Sequence, residues 1–216
     1  MLYIDVSKIL KTERKRREKL EVILLVKKGE CIGIKGVTGA GKTTLLHLIS
    51  GLKSPDRGVI KFNNRFWHNR KIVIPARKRS IGYFMQNGVL YDHMTVLNNV
   101  KFSGAGEEES LELLALTGMY AFKDLPPHTL SGGQRQRVLL ARTLAKPKEL
   151  LLFDEPFASL DIRTAWHMSD VIKQFQNKCP MILVSHDTEL LSFLSDRIFI
   201  MENGRLYESN RINQEN

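Results

Sequence analysis

The chain has 216 residues, 43% of them hydrophobic, which is enough for one large globular domain with a core of its own. No apolar run approaches the roughly 20 residues that a membrane helix needs, and Met1-Leu2-Tyr3-Ile4-Asp5 lacks the charged head and apolar stretch of a secretory signal, so a cytosolic location is expected. A net charge of +10 suits polyanionic partners (nucleic acid, nucleotide phosphates or an anionic lipid surface) without choosing among them.

Taken in order, Leu2–Val6 and Glu21–Val26 are predicted strands, joined by a hairpin that carries the basic run Lys11 to Lys19. Cys31–Lys35 is a short apolar-rich strand that runs into a Gly-rich turn, and Leu45, Leu46, Leu48 and Ile49 mark a helix behind it. Val59–Phe62 and Ile81–Met85 are further strands. Between them lies a second basic run, Arg70 to Arg79; each run reads either as a solvated loop or as a contact for a polyanion. From Thr95 to about Lys146 the texture is helical, with Glu107–Thr117 ended by Gly118 and Ser131–Ala145 followed by Pro147. Glu149–Phe153 and Met181–Ser185 return as apolar strands around the helical stretch Ile162–Gln176. Strand, helix, strand in this order predicts an α/β fold whose parallel sheet is covered by helices. The expected organisation is a single domain, 1–216, in which 1–86 and 147–216 form the core and 87–146 a helical subdomain. Cys31 and Cys179 form no CxxC and read as buried thiols, and Trp67 and Trp166 as packing anchors rather than base-stacking platforms.

Gly36-Val37-Thr38-Gly39-Ala40-Gly41-Lys42-Thr43 fits G-x-x-x-x-G-K-[ST] without a mismatch, with a strand before it and a helix after it. Glycines in such a loop let backbone N–H groups turn inward toward phosphate, and the helix N-terminus adds partial positive charge. Lys42 can then reach the β- and γ-phosphates, the Thr43 hydroxyl can hold Mg²⁺, and Thr44 completes the loop. Downstream, Leu150-Leu151-Leu152-Phe153-Asp154-Glu155 is an apolar strand ending in two carboxylates. Asp154 suits a magnesium shell reached through water, and Glu155 suits a general base. By itself Asp-Glu-Pro is also a good strand-ending turn.

Leu130-Ser131-Gly132-Gly133-Gln134-Arg135-Gln136-Arg137 narrows the field. It resembles the signature sequence of ATP-binding cassette (ABC) ATPases, and the family's other motifs follow in order: Gln86 after a strand, Ser159-Leu160-Asp161 after the acidic pair, and His186 after the strand Met181–Ser185. The resemblance covers Leu2 to about Tyr207. It implies a P-loop NTPase (RecA-like) parallel-sheet core with an antiparallel β subdomain and an inserted helical subdomain. The implied activity is ATP hydrolysis with ATP and Mg²⁺. Catalysis would fall to Glu155, His186, Gln86 and Lys42, and magnesium to Thr43, Gln86 and Asp154. Nucleotide binding is implied for Gly36 to Thr44 and, from the opposite subunit, for Ser131, Gly132, Gly133 and Gln134, with Ser159, Leu160 and Asp161 at the dimer interface.

The implied partners are a second copy or a homologous ATPase subunit, an integral membrane permease and, indirectly, a solute-binding protein, with the chain peripheral on the inner face of the membrane. The stretch Gln86–Val96, including Tyr91, His93 and Met94, would dock the permease. The chain is most similar to molybdate-type importer ATPases, on Ile49-Ser50-Gly51-Leu52, Arg77-Lys78-Arg79-Ser80-Ile81-Gly82-Tyr83 and Phe157-Ala158-Ser159-Leu160-Asp161-Ile162. Two departures stand out. Leu10 occupies the place of the family's adenine-stacking ring, with Arg14, Arg16 or Arg17 as a substitute, and the sequence stops soon after Asn203-Gly204-Arg205, so a C-terminal regulatory domain is expected to be absent. The rival expectation is a soluble cassette ATPase acting on nucleic acid or ribosomes. Without a coiled coil or an aromatic-and-basic stripe it is the weaker of the two, and no nucleic-acid partner is expected.

Overall fold

Alternation along the central strands divides the interior in two. In a computed structural model, which describes residues 1–11 and 17–209, the strands are β1 (Leu2–Lys11), β2 (Arg17–Val26), β3 (Cys31–Lys35), β4 (Arg57–Phe62), β5 (Arg65–His68), β6 (Ile81–Phe84), β7 (Leu150–Asp154), β8 (Met181–Val184), β9 (Arg197–Glu202) and β10 (Arg205–Glu208). They form one sheet in the order β5-β4-β1-β2-β10-β9-β3-β8-β7-β6. From β9 to β6 neighbours run parallel. From β5 to β2 they run antiparallel.

The helices are α1 (Lys42–Ser50), α2 (Val96–Lys101), α3 (Glu107–Leu116), α4 (Gly132–Leu144), α5 (Ile162–Lys173) and α6 (Thr188–Leu194). Successive strand side chains point to opposite faces. Leu150 and Leu152 of β7, with Ile182 and Val184 of β8, therefore pack under α1 and against the inner residues of β1 and β2. Leu151 and Phe153, with Met181 and Leu183, pack on the other face against α4, α5 and α6. Each such fully buried side chain contributes about 1.5–3 kcal/mol. Strands buried on both faces must be apolar throughout, which is why β7 and β8 read as unbroken hydrophobic runs.

Residues 87–149 hold α2, α3 and α4 and no strand among the described residues. Side-chain caps set the helix starts: Thr95, Ser131, Asp161 and Asp187 accept from a backbone N–H in the first turn of α2, α4, α5 and α6. Arg79 ties the loop before β6 to the end of α1. Its buried guanidinium donates to the carbonyls of Leu48, Ile49, Trp67 and Ile74. Burial pulls its pKa down to about 10, and a cation there complements the negative end of the helix dipole. Both cysteines are free and buried, and Trp67 stacks on Phe62 at 4.7 Å.

The sequence reading missed five elements. β5 has four residues and only two apolar ones. The α2 and α6 stretches are too short for periodicity to declare itself. β9 and β10 form a hairpin over Asn203-Gly204, both at positive φ, a turn signal that should have been read. β1 runs on to Lys11, with its ladder to β2 kept through Ser7 and Lys8, where polar residues hide the alternation. The tip of the basic hairpin, with Arg14, Arg16 and the Arg17 side chain, lies outside the described residues. No helix among the described residues is long and apolar enough to cross a membrane.

Candidate active site

Parallel strands deliver their last residues to one edge, and here that edge carries the charge. A cleft of about 510 Å³ opens there. Thr38, Gly39, Gly41, Lys42, Thr43 and Thr44 line it from the loop before α1, with Asp154 and Glu155 from the end of β7, Gln86 from beyond β6 and His186 from beyond β8. The parallel register sets this meeting: Asp154 pairs with Val184, so the residues just past both strands arrive side by side.

The loop must turn tightly and lie close to the sheet. Gly41 caps α1 at φ +106°, a left-handed conformation that a β-carbon disfavours. A β-carbon on Gly36 would fall 2.2 Å from the carbonyl oxygen of Met201. The Lys42 ammonium donates to the carbonyls of Gly36 at 2.6 Å and Val37 at 3.1 Å, which leaves one of its three protons for a phosphate oxygen. Burial lowers the Lys42 pKa, opposed by the charges of Glu155 and Asp154.

Asp154 is buried, and burial raises its pKa against a hydrogen bond from Thr43 and the charges of His47 and Lys42. Glu155 sits at φ +51°, a conformation costing a β-carbon-bearing residue roughly 1–2 kcal/mol. Its N–H donates to Val184 O at 3.0 Å, which pins the turn and aims the carboxylate into the cleft. Oε2 accepts from the His186 N–H at 3.2 Å, while Oε1 lies 3.2 Å from His186 Nε2 without an aligned hydrogen bond. Burial raises the Glu155 pKa, opposed by the nearby His186. A buried carboxylate oxygen with no donor has capacity to hydrogen-bond a water.

Thr43, Asp154 and Gln86 offer a hydroxyl, a carboxylate and an amide to one cleft, a hard oxygen set of the kind Mg²⁺ takes together with substrate phosphates. Among the described residues no three His, Cys, Asp or Glu cluster as an all-protein metal cage. The residues therefore fit a magnesium ion that shares its shell with a ligand.

The signature segment lies elsewhere. None of Ser131, Gly132, Gly133 and Gln134 is among the cleft's lining residues. Ser131 Oγ accepts from Gln134 N at 3.3 Å and Gln134 Oε1 accepts from Ser131 N at 2.8 Å. This capping box satisfies two of the first turn's amides, and those of Gly132 and Gly133, at an exposed helix start, have no hydrogen-bond partner among the described residues. The Gln134 side chain is thereby engaged in the cap. The Ser159-Leu160 loop lies against the same turn, since a β-carbon on Gly133 would be 3.4 Å from Ser159 O. Asp161 caps α5 through the amide and hydroxyl of Thr164.

At the far end of the cleft Leu10 is present as expected, but Lys8, Ile9 and Lys53 line it too; no motif marks them. In the segment after Gln86, Tyr91 packs on Phe102 at 4.7 Å, Arg142 of α4 donates to Val89 O at 2.8 Å, and buried Asn99 holds both backbone groups of Tyr91. Val89 and Phe102 are more exposed than Tyr91 and were not singled out by sequence, because isolated apolar residues carry no pattern.

A family model described as ABC transporter matches residues 21–158. An Fe(3+) ions import ATP-binding protein of Pectobacterium atrosepticum is 36% identical over 215 residues, 95% of this chain and 62% of that one. A molybdenum import ATP-binding protein of Methylococcus capsulatus is 36% identical over 178 residues, 79% of this chain and 50% of that one. The chain thus spans between half and two thirds of the length of these relatives. A solved dimeric post-hydrolysis state of an ATP-binding cassette, bound to ADP and Pi, superposes with a TM-score of 0.85 at 28% identity, covering 97% of this chain and 98% of that one.

Proposed function

The chain belongs to the ABC transporter family of ATP-binding cassettes, and on that premise we propose that it is the ATP-hydrolysing subunit of an importer, working as a dimer on a separate membrane permease. The observation that carries the reading is the convergence of Lys42, Thr43, Asp154, Glu155 and His186 on one cleft. Loop amides and Lys42 hold the triphosphate of ATP. Glu155 orients the attacking water and takes its proton; the His186 amide holds its carboxylate in place, with the ring 3.2 Å from the other oxygen. Thr43, Asp154 and Gln86 hold magnesium, which when bound neutralises charge on the β- and γ-phosphates.

The amides of Gly132 and Gly133 face a second copy, where they complete the phosphate site of that subunit, with Ser159, Leu160 and Asp161 beside them. The rim Val89, Tyr91, His93 and Phe102 meets the permease, which would place the chain on the membrane's inner face. Arg142 ties α4 to that rim through Val89 O.

The solute is a small inorganic ion, molybdate or another oxyanion in our reading; the named relatives add Fe(3+). Deleting the gene and measuring cellular uptake of molybdate, sulfate and Fe(3+) tests this. Loss of one, restored by the wild type but not by Ser131→Arg, is expected. Intact uptake of all three sinks the inorganic-ion assignment, and ribosomes rather than a permease copurifying with the chain would sink the importer reading.

A further inference from the structure

Charge is unevenly shared along this chain. Residues 57–79 hold eight of its 33 Lys and Arg and none of its 23 Asp and Glu. Arg79 is buried on backbone carbonyls. The other seven (Arg57, Lys61, Arg65, Arg70, Lys71, Arg77 and Lys78) enter no ion pair among the described residues.

The fold gathers these cations at the free edge of the sheet. β5 is the last strand. Ile60 and Phe62 of β4 point into the core, so Arg57, Val59 and Lys61 point outward. Arg57, Arg70 and Lys71 line one open cleft of about 850 Å³ with Asp5 and Asp56. Asp56 is already held by Lys8 and by the Ile9 amide, which leaves three cations against Asp5 and a net positive surface. The turn beyond β5 is built rigidly: Asn69 Oδ1 accepts from the amides of Lys71 and Ile72, and the Asn69 N–H donates to Ile72 O. It presents Arg70 and Lys71 beside exposed Ile72 and Val73, 40% and 58% accessible.

We propose that this edge, the outward face of β4 and β5 with the turn at 69–73, is a docking surface for an anionic phospholipid membrane, separate from the nucleotide cleft and from the permease rim. Unpaired cations near such a surface are attracted by its negative potential, and two aliphatic side chains at the tip can enter the headgroup boundary. Single-stranded nucleic acid fits less well. Phe66, the ring beside these cations, lies under the Lys61 ammonium at 4.6 Å and presents no free stacking platform.

The test is flotation of the purified chain with phosphatidylcholine vesicles, with and without phosphatidylglycerol, at about 0.1 M salt where the Debye length is about 10 Å. Wild type should float only with the anionic vesicles. Each cation removed should weaken partitioning about fivefold, so Arg57→Gln/Arg70→Gln/Lys71→Gln should lose about a hundredfold. Lys27→Gln/Lys28→Gln/Lys178→Gln, with the same net charge, should stay near wild type. The variant Ile72→Ser/Val73→Ser should weaken flotation without altering net charge. ATP turnover of the first triple in solution should be unchanged, which separates this surface from the nucleotide reading. If that triple misfolds, Arg70→Gln/Lys71→Gln, confined to the exposed turn, replaces it with a loss of about 25-fold. Equal losses in both triples, no flotation at all, or binding to an RNA oligonucleotide that depends on the patch while vesicles are ignored would each overturn the proposal.

Discussion

The phosphate cleft and the signature turn are both anion sites at helix starts, yet they are built in opposite ways. The cleft needs the whole fold. Its polar groups come from the ends of three strands and a loop; Lys42, Asp154 and Glu155 are buried, and burial pushes Asp154 and Glu155 upward and Lys42 downward. The signature turn needs only α4. A reciprocal cap between Ser131 and Gln134 holds it, and the amides of Gly132 and Gly133 have no hydrogen-bond partner among the described residues. One site is strained and buried; the other is relaxed and exposed. On the proposed function, chemistry would fall to the first, and the second would sense whether another subunit's phosphate is present.

The comparison breaks first on catalysis. Glu155→Gln should cut turnover by about 10²–10⁴-fold, the scale for losing a general base, while ATP affinity changes little. Phosphate release and nucleotide titration measure the two separately, and unchanged turnover would take the base role away from Glu155. The signature turn should show the reverse pattern. In the Glu155→Gln background, Ser131→Arg should weaken ATP-driven dimerisation by about 10–100-fold, the value of one or two charge-assisted hydrogen bonds. Nucleotide affinity of the cleft should hold. Light scattering with ATP and with ADP decides it: equal mass in both, with nucleotide bound, leaves no role for the turn between subunits.

These two sites also differ in how far the sequence discloses them. The loop Gly36–Thr43, the pair Asp154-Glu155 and the segment Ser131–Gln134 are contiguous, so each can be read where it stands, and the cap appears as Ser131 three residues before Gln134. The contact between Glu155 and His186 joins residues 31 apart and depends on the β7–β8 register and on a left-handed turn that no local rule demands of a glutamate. The α/β core was legible because its strands are buried on both faces. The hairpin β9–β10 was not among the expected elements, although Asn203-Gly204 carries its turn signal. The joining of the antiparallel strands to the core was not legible, because it rests on one backbone pairing, Arg205 with Glu21.

Stability sharpens the contrast at a smaller scale. A carboxylate whose folded pKa is raised holds its proton more tightly in the folded state. Its contribution to stability is therefore full below the unfolded pKa and is lost as pH rises through the folded one. For Glu155, ionisation at neutral pH works against the fold, so Glu155→Gln should stabilise the nucleotide-free chain by about 1 kcal/mol. That gain should fade as pH falls toward the ordinary carboxylate range. Ser131→Ala should instead cost about 1 kcal/mol, through the lost cap. The cost should be the same across that pH range, because no titrating group takes part. Urea melts at neutral and mildly acid pH compare the two. A pH-independent gain for Glu155→Gln would mean that desolvation of its charge is not what destabilises the cleft.

The smallest effect concerns the base. Ile9 and Leu10 give the outer cleft an aliphatic wall, with Lys8 and Lys53 beside it. Lys8 is paired with Asp56 at 2.7 Å, so its ammonium is partly committed, and a lysine, which only donates, gives no preference for the amino group of adenine. An aliphatic wall contacts either purine face alike, whereas a stacked ring would add about 1–3 kcal/mol. Affinity then comes from the triphosphate and its magnesium, which ATP and GTP share. GTP should therefore compete with ATP within about tenfold, a gap of about 1.4 kcal/mol. Leu10→Tyr should raise the affinity for both by about tenfold, at the lower end of what base stacking contributes. Competition between labelled nucleotides in the Glu155→Gln background isolates binding from turnover. A preference for ATP of several hundredfold would require a group that reads the base edge. The Leu10→Tyr arm would then locate it: unchanged affinity would place the base away from the end of β1, while a rise for ATP alone would place a discriminating hydrogen bond beside it.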